Sequence, residues 1–215
     1  MKSNRTGNGQ HRLTAIVNTG ITVPCIVVAG IDDDALPTID TGLTRSSKDV
    51  LGIEGLDDWD AAILGHSLHV LIGHFSGLPV YNTQKLPPHA IREFYLNHTP
   101  RLESSLRFIK KLPRQRPPIP HSRAFLLHYL FSEKSPLAAD EFMAGLYTGE
   151  ILALTDPVYQ LRTKLHACQY DRDIKPGYDQ LFACIKAWNM TRAGKNLAHG
   201  RNIFPRRDEA FPDIK

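Results

Sequence analysis

The chain has 215 residues, of which 42% are hydrophobic and 22% are charged, and its formal net charge is +4. This composition excludes a globally disordered chain, because it contains enough apolar residues to form a core. No apolar run approaches the ~18 residues of a membrane span. The three cysteines have no C-x-x-C spacing, which argues against a disulfide framework or a zinc ribbon and favours a reducing, cytoplasmic setting.

The strongest chemical signal lies close to the N-terminus, where Gly9 is followed by Gln10, His11 and Arg12. The apolar spacing of the next residues predicts a helix over 10–19. A glycine lets the backbone turn tightly, and the first turn of a helix offers unpaired N–H groups. With the forked guanidinium of Arg12 beside them, these groups predict an anion-binding site.

Two boxes give the chain a family resemblance. The residues Gly9, Gln10, His11 and Arg12 resemble the G-x-H-R box of the ParB/sulfiredoxin superfamily, in its DGQHR-type branch from phages and mobile elements. The segment 39–51 resembles the next box of ParB-like phage proteins, which reads D-T-G, then R-[ST], then D-V-L. The resemblance implies that the first box binds the phosphates of a nucleoside triphosphate, ATP or CTP, with magnesium as an accompanying ion.

In the second box, the resemblance implies further donors for the same phosphates, which are Thr41, Gly42, Arg45 and Ser46. The alternative is a capped loop whose arginine faces water, because Ser46 and Asp49 have the spacing of a helix N-terminal cap. The residues indicate neither a general base nor a complete metal site, so the catalytic residues stay unknown. If the chain is an enzyme, the resemblance points to a slow nucleoside triphosphatase or a ParB-like nuclease.

The fold implied by the resemblance is α+β and mostly helical. It consists of a ParB/sulfiredoxin-like α/β part at 8–55, a helical region at 56–195 and a basic tail at 196–215. Within the first part, the apolar, β-branched run 22–29 predicts a buried strand. Superfamily members usually have a strand and a helix before the first box, where this chain has only residues 1–7, so the resemblance implies a shortened member.

Further along the chain, apolar periodicity predicts an array of helices. A long helix covers 58–76, and others follow at 88–97, 100–112, 120–132, 136–147, 156–168 and 175–193. On the long helix, His66, His69 and His74 lie away from the apolar face and are predicted as surface histidines. The alternatives are a metal site and a histidine pair that faces a partner.

Arginines gather in two places. Arg114 and Arg116 lie in a proline-rich linker between two predicted helices, and Arg201, Arg206 and Arg207 lie in the C-terminal tail. Because clustered arginines contact nucleic-acid backbones, both places are predicted to bind DNA. The alternative for the linker is a solvated connection, and the alternative for the tail is a segment that packs back on the body.

These features lead to two hypotheses. In the first, the chain is a phage or mobile-element protein that binds a nucleoside triphosphate and acts on or near DNA in the bacterial cytoplasm. In the second, it is a non-enzymatic phage accessory or anti-defence protein that binds a host or phage protein through its helical surface. The oligomeric state is open, with a dimer as one arrangement.

Overall fold

The computed structural model describes residues 6, 8–32, 35, 45–150, 153–168, 175, 177–198 and 200–215. Within these residues the regular structure is entirely helical, with eight α-helices and no strand. The helices are α1 (Gln10–Thr19), α2 (Ser47–Ile53), α3 (Asp58–Phe75), α4 (Pro88–Lys110), α5 (His121–Ser132), α6 (Pro136–Thr148), α7 (Pro157–Ala167) and α8 (Tyr178–Arg192). None of these helices is long and apolar enough to cross a membrane.

The predicted α+β fold is therefore wrong, and no ParB/sulfiredoxin-like α/β part is seen in the described residues of 8–55. The run 22–29, predicted as a buried strand, has no regular structure and is exposed throughout. Ile26 is 94% exposed and Val27 is 79% exposed. Apolar, β-branched residues favour a strand only where neighbouring strands and a packing face are supplied. The described part of the chain supplies neither.

Helix α5 lies at the centre of the helical body, which we define as α2 to α8 with the C-terminal segment. All residues from Ala124 to Phe131 are buried, as is typical of a helix surrounded by others. Helices α3, α4, α6 and α8 pack against α5, while α2 packs on α3 and α4, and α7 packs on α6 and α8. The core of the protein is thus built around one central helix whose middle two turns are buried on every side.

One predicted break between helices is absent. The sequence predicts two helices on either side of Pro100, but α4 runs through this residue. A proline has no N–H group, so the carbonyl of Leu96 loses its usual helical partner. The Thr99 hydroxyl donates to the carbonyl of Tyr95 at 2.7 Å and to that of Leu96 at 3.4 Å. The hydroxyl proton thus goes chiefly to Tyr95, and the Leu96 carbonyl keeps only a long contact with the residue before the proline.

The end of the C-terminal segment packs back on α8. The indole Nε1 of Trp188 donates to the Lys215 carbonyl at 2.9 Å. The Asn189 side chain donates to the Asp213 carbonyl at 2.7 Å and accepts from the Lys215 N–H at 3.0 Å. The half-buried ring of Phe211 packs against aromatic rings of the body. Packing back, one of the two alternatives for the tail, therefore holds for its last residues.

Candidate functional site

The predicted anion site begins at a glycine in the left-handed region. Gly9 has a φ of 85° and is the N-cap of α1, so any other residue would be strained there. Its carbonyl accepts the first helical hydrogen bond, from the Leu13 N–H at 2.9 Å. Among the described residues no side chain caps the first turn of α1, and no acidic residue lies in that turn. The N-terminal end of the helix thus offers free N–H groups and partial positive charge.

Gln10, His11 and Arg12 form the first turn of α1, and all three are exposed. The Gln10 side-chain amide donates to the Thr6 carbonyl at 3.3 Å. Because α1 buries none of its residues, the imidazole and the guanidinium are accessible from solvent. The structure therefore brings the four residues of the first box together at one helix start.

In the second box, the structure describes Arg45 and Ser46, whereas Thr41 and Gly42 lie outside the described residues. Ser46 caps α2: its N–H and its hydroxyl donate to the Asp49 carboxylate at 2.9 and 2.6 Å, and its hydroxyl accepts from the Asp49 N–H at 3.2 Å. The bonds from Ser46, with smaller contributions from Lys48 and Arg45, lower the pKa of Asp49. An anion at Ser46 would compete with this carboxylate, since both need the same donors.

The five arginines predicted to contact DNA lie on two different parts of the surface. Arg114, in the α4–α5 loop, is exposed, and its guanidinium lies 4.5 Å from the ring centroid of Trp59 on α3. Arg116 is exposed in the same loop. Arg201, Arg206 and Arg207 are exposed in the C-terminal segment, whose contacts are with α7 and α8. Of these five arginines, Arg114 lies against α3, and the other four are exposed.

An apolar surface follows the C-terminal end of α1, in a segment that we name the apolar arm and define as residues 21–31. Its large side chains are all exposed: Ile21 60%, Val23 49%, Ile26 94%, Val27 79%, Val28 68% and Ile31 43%. Isolated exposed apolar residues are ordinary on a surface, but a contiguous group marks an interaction site. Residues 22–29 of the arm were predicted as a buried strand, so this surface was not expected from the sequence.

Two clefts lie on the helical body. One, of about 600 Å³, is bordered by the α3–α4 loop, the end of α5 and residues 211–214. The other, of about 400 Å³, has carboxylates and ammonium or guanidinium groups in its wall. Two of its carboxylates are paired, Asp60 with Lys110 of the same wall at 2.6 Å and Glu54 with the neighbouring Arg92 at 2.6 Å. The first cleft is lined by His74, one of the α3 histidines noted in the sequence, and neither cleft contains a residue predicted to bind nucleotide or DNA.

A buried histidine meets a partly exposed serine and a half-exposed carboxylate between α5 and α6. His128 is 3% exposed, and its Nε2 lies 2.8 Å from an Asp140 carboxylate oxygen. Burial lowers the pKa of His128, and the hydrogen bond to Asp140 opposes this with a smaller effect. The Ser132 hydroxyl donates to the His128 carbonyl at 2.6 Å and lies 3.5 Å from Nδ1. This serine is engaged by the helix backbone, so the trio holds two helices together and activates no nucleophile.

A second histidine with a serine partner lies between α2 and α3, and the sequence analysis missed it. The Ser47 hydroxyl lies 2.7 Å from His69 Nε2, and His69 Nδ1 lies 3.0 Å from the Gln84 carbonyl. Both side chains are partly buried. His69 was predicted as a surface histidine, and this prediction is wrong because both ring nitrogens are hydrogen-bonded within the protein. No sequence signal links positions 47, 69 and 84.

No group of three or more histidine, cysteine, aspartate or glutamate side chains in the described part of the chain is arranged to hold a metal ion. Within these described residues, the histidines of α3 therefore have no carboxylate or thiolate partners arranged as zinc ligands. Comparison with known proteins finds no relative: no family model, no curated protein and no solved structure matches the chain.

Proposed function

We propose that this chain binds the phosphates of a nucleoside triphosphate at the start of α1 and acts on or near DNA. One observation carries the proposal: α1 begins at Gly9 without a side-chain cap, and Gln10, His11 and Arg12 are exposed in its first turn. The resemblance of these four residues to a G-x-H-R box supports the same ligand. The proposal does not need the sheet that the resemblance also implied.

The chemistry of the first turn suits phosphate. The N-terminal end of a helix carries about half a unit of positive charge and unpaired N–H groups, which bind anions. Arg12 adds a guanidinium whose two N–H groups fit two phosphate oxygens. His11 donates a hydrogen bond to a further oxygen. The described part of the first turn contains no carboxylate to repel the ligand.

Calorimetric titration tests this site. The chain is titrated with ATP, CTP and GTP, with and without magnesium, beside the variants Arg12→Ala and Arg207→Ala. We expect micromolar binding that Arg12→Ala weakens by at least about tenfold, since a charge-assisted hydrogen bond contributes ~1.5–3 kcal/mol. Arg207→Ala removes an exposed arginine far along the chain and serves as the charge-matched control. Absence of binding by all three nucleotides would refute the proposal.

Action on DNA rests on the exposed arginines of the C-terminal segment. Anisotropy of a labelled duplex, measured over a range of salt concentrations, tests it with the triple alanine variant of Arg201, Arg206 and Arg207. Each lost phosphate contact should reduce the salt slope by about 0.9. If the variant binds with an unchanged slope, these residues do not contact the backbone. The same titration with Arg114→Ala and Arg116→Ala tests the linker.

The apolar arm favours a second candidate function, that of an interaction protein without catalysis. Its exposed side chains form a surface that water solvates poorly. In this case the partner contacts the arm, not the α-helical surface named in the sequence analysis. Replacing Ile26 and Val28 with aspartate should abolish capture of a partner from a bacterial lysate. The Arg12→Ala variant should still capture that partner. The reverse pattern would favour the nucleotide site.

A further inference from the structure

We infer that Ser47 is a nucleophile activated by His69, and that this pair can transfer an acyl group from a small ester to water. The inference is independent of the nucleotide site at α1. It rests on two measured contacts: the Ser47 hydroxyl lies 2.7 Å from His69 Nε2, and His69 Nδ1 lies 3.0 Å from the Gln84 carbonyl oxygen. Two successive hydrogen bonds thus connect a nucleophile, a base and a group that orients the base.

The Gln84 carbonyl fixes the tautomer of the neutral imidazole. A carbonyl oxygen can only accept, so His69 Nδ1 must carry the proton and donate it. Nε2 is then left with its lone pair, and the Ser47 hydroxyl must be the donor to it. This is the polarity that general-base catalysis requires, since the base receives the proton of the attacking hydroxyl. The positioning group here is a backbone carbonyl.

The packing of α2 on α3 brings the pair together. Ser47 is the first residue of α2, and His69 lies one helical turn after Gly65 on α3. A Cβ at Gly65 would lie 3.2 Å from the Lys48 backbone nitrogen and 3.5 Å from the Ser47 Cβ. The glycine therefore allows the start of α2 to approach α3 closely enough for the hydrogen bond. Ser46 caps the helix, which leaves the Ser47 hydroxyl free of that role.

The contrast with Ser132 and His128 shows why this pair differs. Ser132 donates to the carbonyl of its own helix, and its oxygen lies 3.5 Å from the imidazole. Both serines are partly exposed, but the Ser47 hydroxyl lies much closer to its imidazole nitrogen, at 2.7 Å. A serine in a helix interior commonly bonds to the carbonyl four residues earlier. As the first residue of α2, Ser47 has no carbonyl within that helix to bond.

The reaction proceeds in two steps. In the first, the Ser47 Oγ–carbonyl carbon bond forms as His69 Nε2 takes the hydroxyl proton, and the proton then passes to the departing alcohol. In the second, His69 takes a proton from water, the resulting hydroxide attacks the acyl-serine, and the proton returns to Ser47 Oγ. The net change is ester plus water to acid plus alcohol. Because a neutral carbonyl stabilises an imidazolium less than a carboxylate does, we expect slow turnover.

Covalent labelling with a fluorophosphonate tests the inference. The Ser47 oxygen would bond to phosphorus as fluoride leaves and His69 takes the proton, and peptide mass spectrometry locates the product. We expect Ser47 to be labelled in the wild type and also in Ser46→Ala. The Ser46 hydroxyl that this variant lacks bonds to Asp49 in the helix cap and does not contact His69. Labelling should fall by at least about a hundredfold in Ser47→Ala and in His69→Gln, consistent with the size of general-base effects. A folded wild-type chain that stays unlabelled at Ser47 would overturn the inference.

A second measurement keeps the test valid if His69→Gln fails to fold. The variants Ser47→Cys and Ser46→Cys retain His69 and are treated with iodoacetamide, with the exposed Cys25 as an internal reference. An imidazole beside a thiol favours the reactive thiolate, so Ser47→Cys should react at least about tenfold faster than Ser46→Cys. Equal rates would show that His69 does not activate position 47 and would overturn the inference. The burst of p-nitrophenol from p-nitrophenyl acetate then measures acyl transfer directly.

Discussion

The indole ring of Trp188 stacks on the phenyl ring of Phe131, with 4.3 Å between the ring centroids and 7° between their planes. A third ring, Phe142, meets Trp188 edge-on at 5.8 Å, and the indole N–H donates to the Lys215 carbonyl. One fully buried side chain thus connects α5, α6, α8 and the C-terminal end of the chain.

Trp188→Ala should destabilise the protein by ~3–5 kcal/mol, because it removes a large buried ring and leaves a cavity among three helices. Urea unfolding monitored by circular dichroism measures the change. Leu137→Ala is the control, since Leu137 is 77% exposed and should change stability by less than ~0.5 kcal/mol. Similar effects of the two substitutions would contradict the central place of Trp188.

Gly65→Ala should destabilise the protein by ~1–3 kcal/mol, because the added methyl group meets the backbone of α2. The contact to the Lys48 nitrogen would be 3.2 Å, and backbone atoms cannot rotate away. Gly52→Ala is a matched control in α2, where a Cβ meets nothing within 4 Å. That substitution should stabilise the helix by ~0.5–1 kcal/mol. If urea unfolding shows that both substitutions change the free energy of unfolding in the same direction, the prediction is wrong.

Asn189→Ala should release the C-terminal segment without unfolding α8. The substitution removes two hydrogen bonds, to the Asp213 carbonyl and from the Lys215 N–H, each with a net contribution of ~0.5–1.5 kcal/mol. Hydrogen exchange at residues 211–215 should accelerate, while exchange in α5 stays unchanged. Arg207→Ala, at an exposed position of the same segment, is the control. Unchanged exchange at Lys215 in the Asn189 variant would contradict this prediction.

Stability should fall as the pH drops below about 6.5, the ordinary pKa of histidine. Burial lowers the pKa of His128, and burial also lowers that of His121. The unfolded chain therefore binds more protons than the folded chain at acidic pH, so acid favours unfolding. The midpoint of urea unfolding, measured from pH 8 to pH 5, should decrease in the wild type and decrease less in His128→Gln. An identical pH profile for this variant would exclude His128 as a contributor.

The thiol of Cys25 should react with a disulfide reagent much faster than the thiol of Cys184. Cys25 is exposed, whereas Cys184 is buried, and its burial raises the pKa of the thiol to about 12. Both the thiolate fraction and the access of the reagent are therefore low at Cys184. Peptide mass spectrometry after a short treatment should find Cys25 modified, with Cys184 modified only after denaturant is added. Rapid reaction of Cys184 in the native protein would contradict its buried position.

Local signals predicted much of the helical structure. The helix at 10–19 is found at those residues and ends at Gly20 in the left-handed conformation, as expected for a C-cap. The capping box of Ser46 and Asp49 is confirmed, since both of its hydrogen bonds are present. The long helix from Asp58 and the helix from Pro136 also begin where the sequence predicted. Each of these depends on residues a few positions apart, and this is the range over which sequence patterns act.

The first box was recognised from its residues, and the structure places it at the start of a helix, as the sequence predicted. Its ligand stays a prediction. The pair of Ser47 and His69 was missed because the two residues are 22 positions apart. They meet only because Gly65 allows two helices to approach.

The sequence by itself determined which segments are helical, where most of them begin, and which turn carries the basic residues of α1, because caps, periodicity and glycine conformation are local properties. The tertiary structure decided the rest. The run 22–29 has strand composition, yet it forms no strand without neighbours to pair with. Pro100 lies inside α4, a helix that packs against α2, α3 and α5 and has buried residues both before and after the proline. His69 has a serine partner because two helices pack closely together. No local sequence pattern encodes the packing of such distant segments.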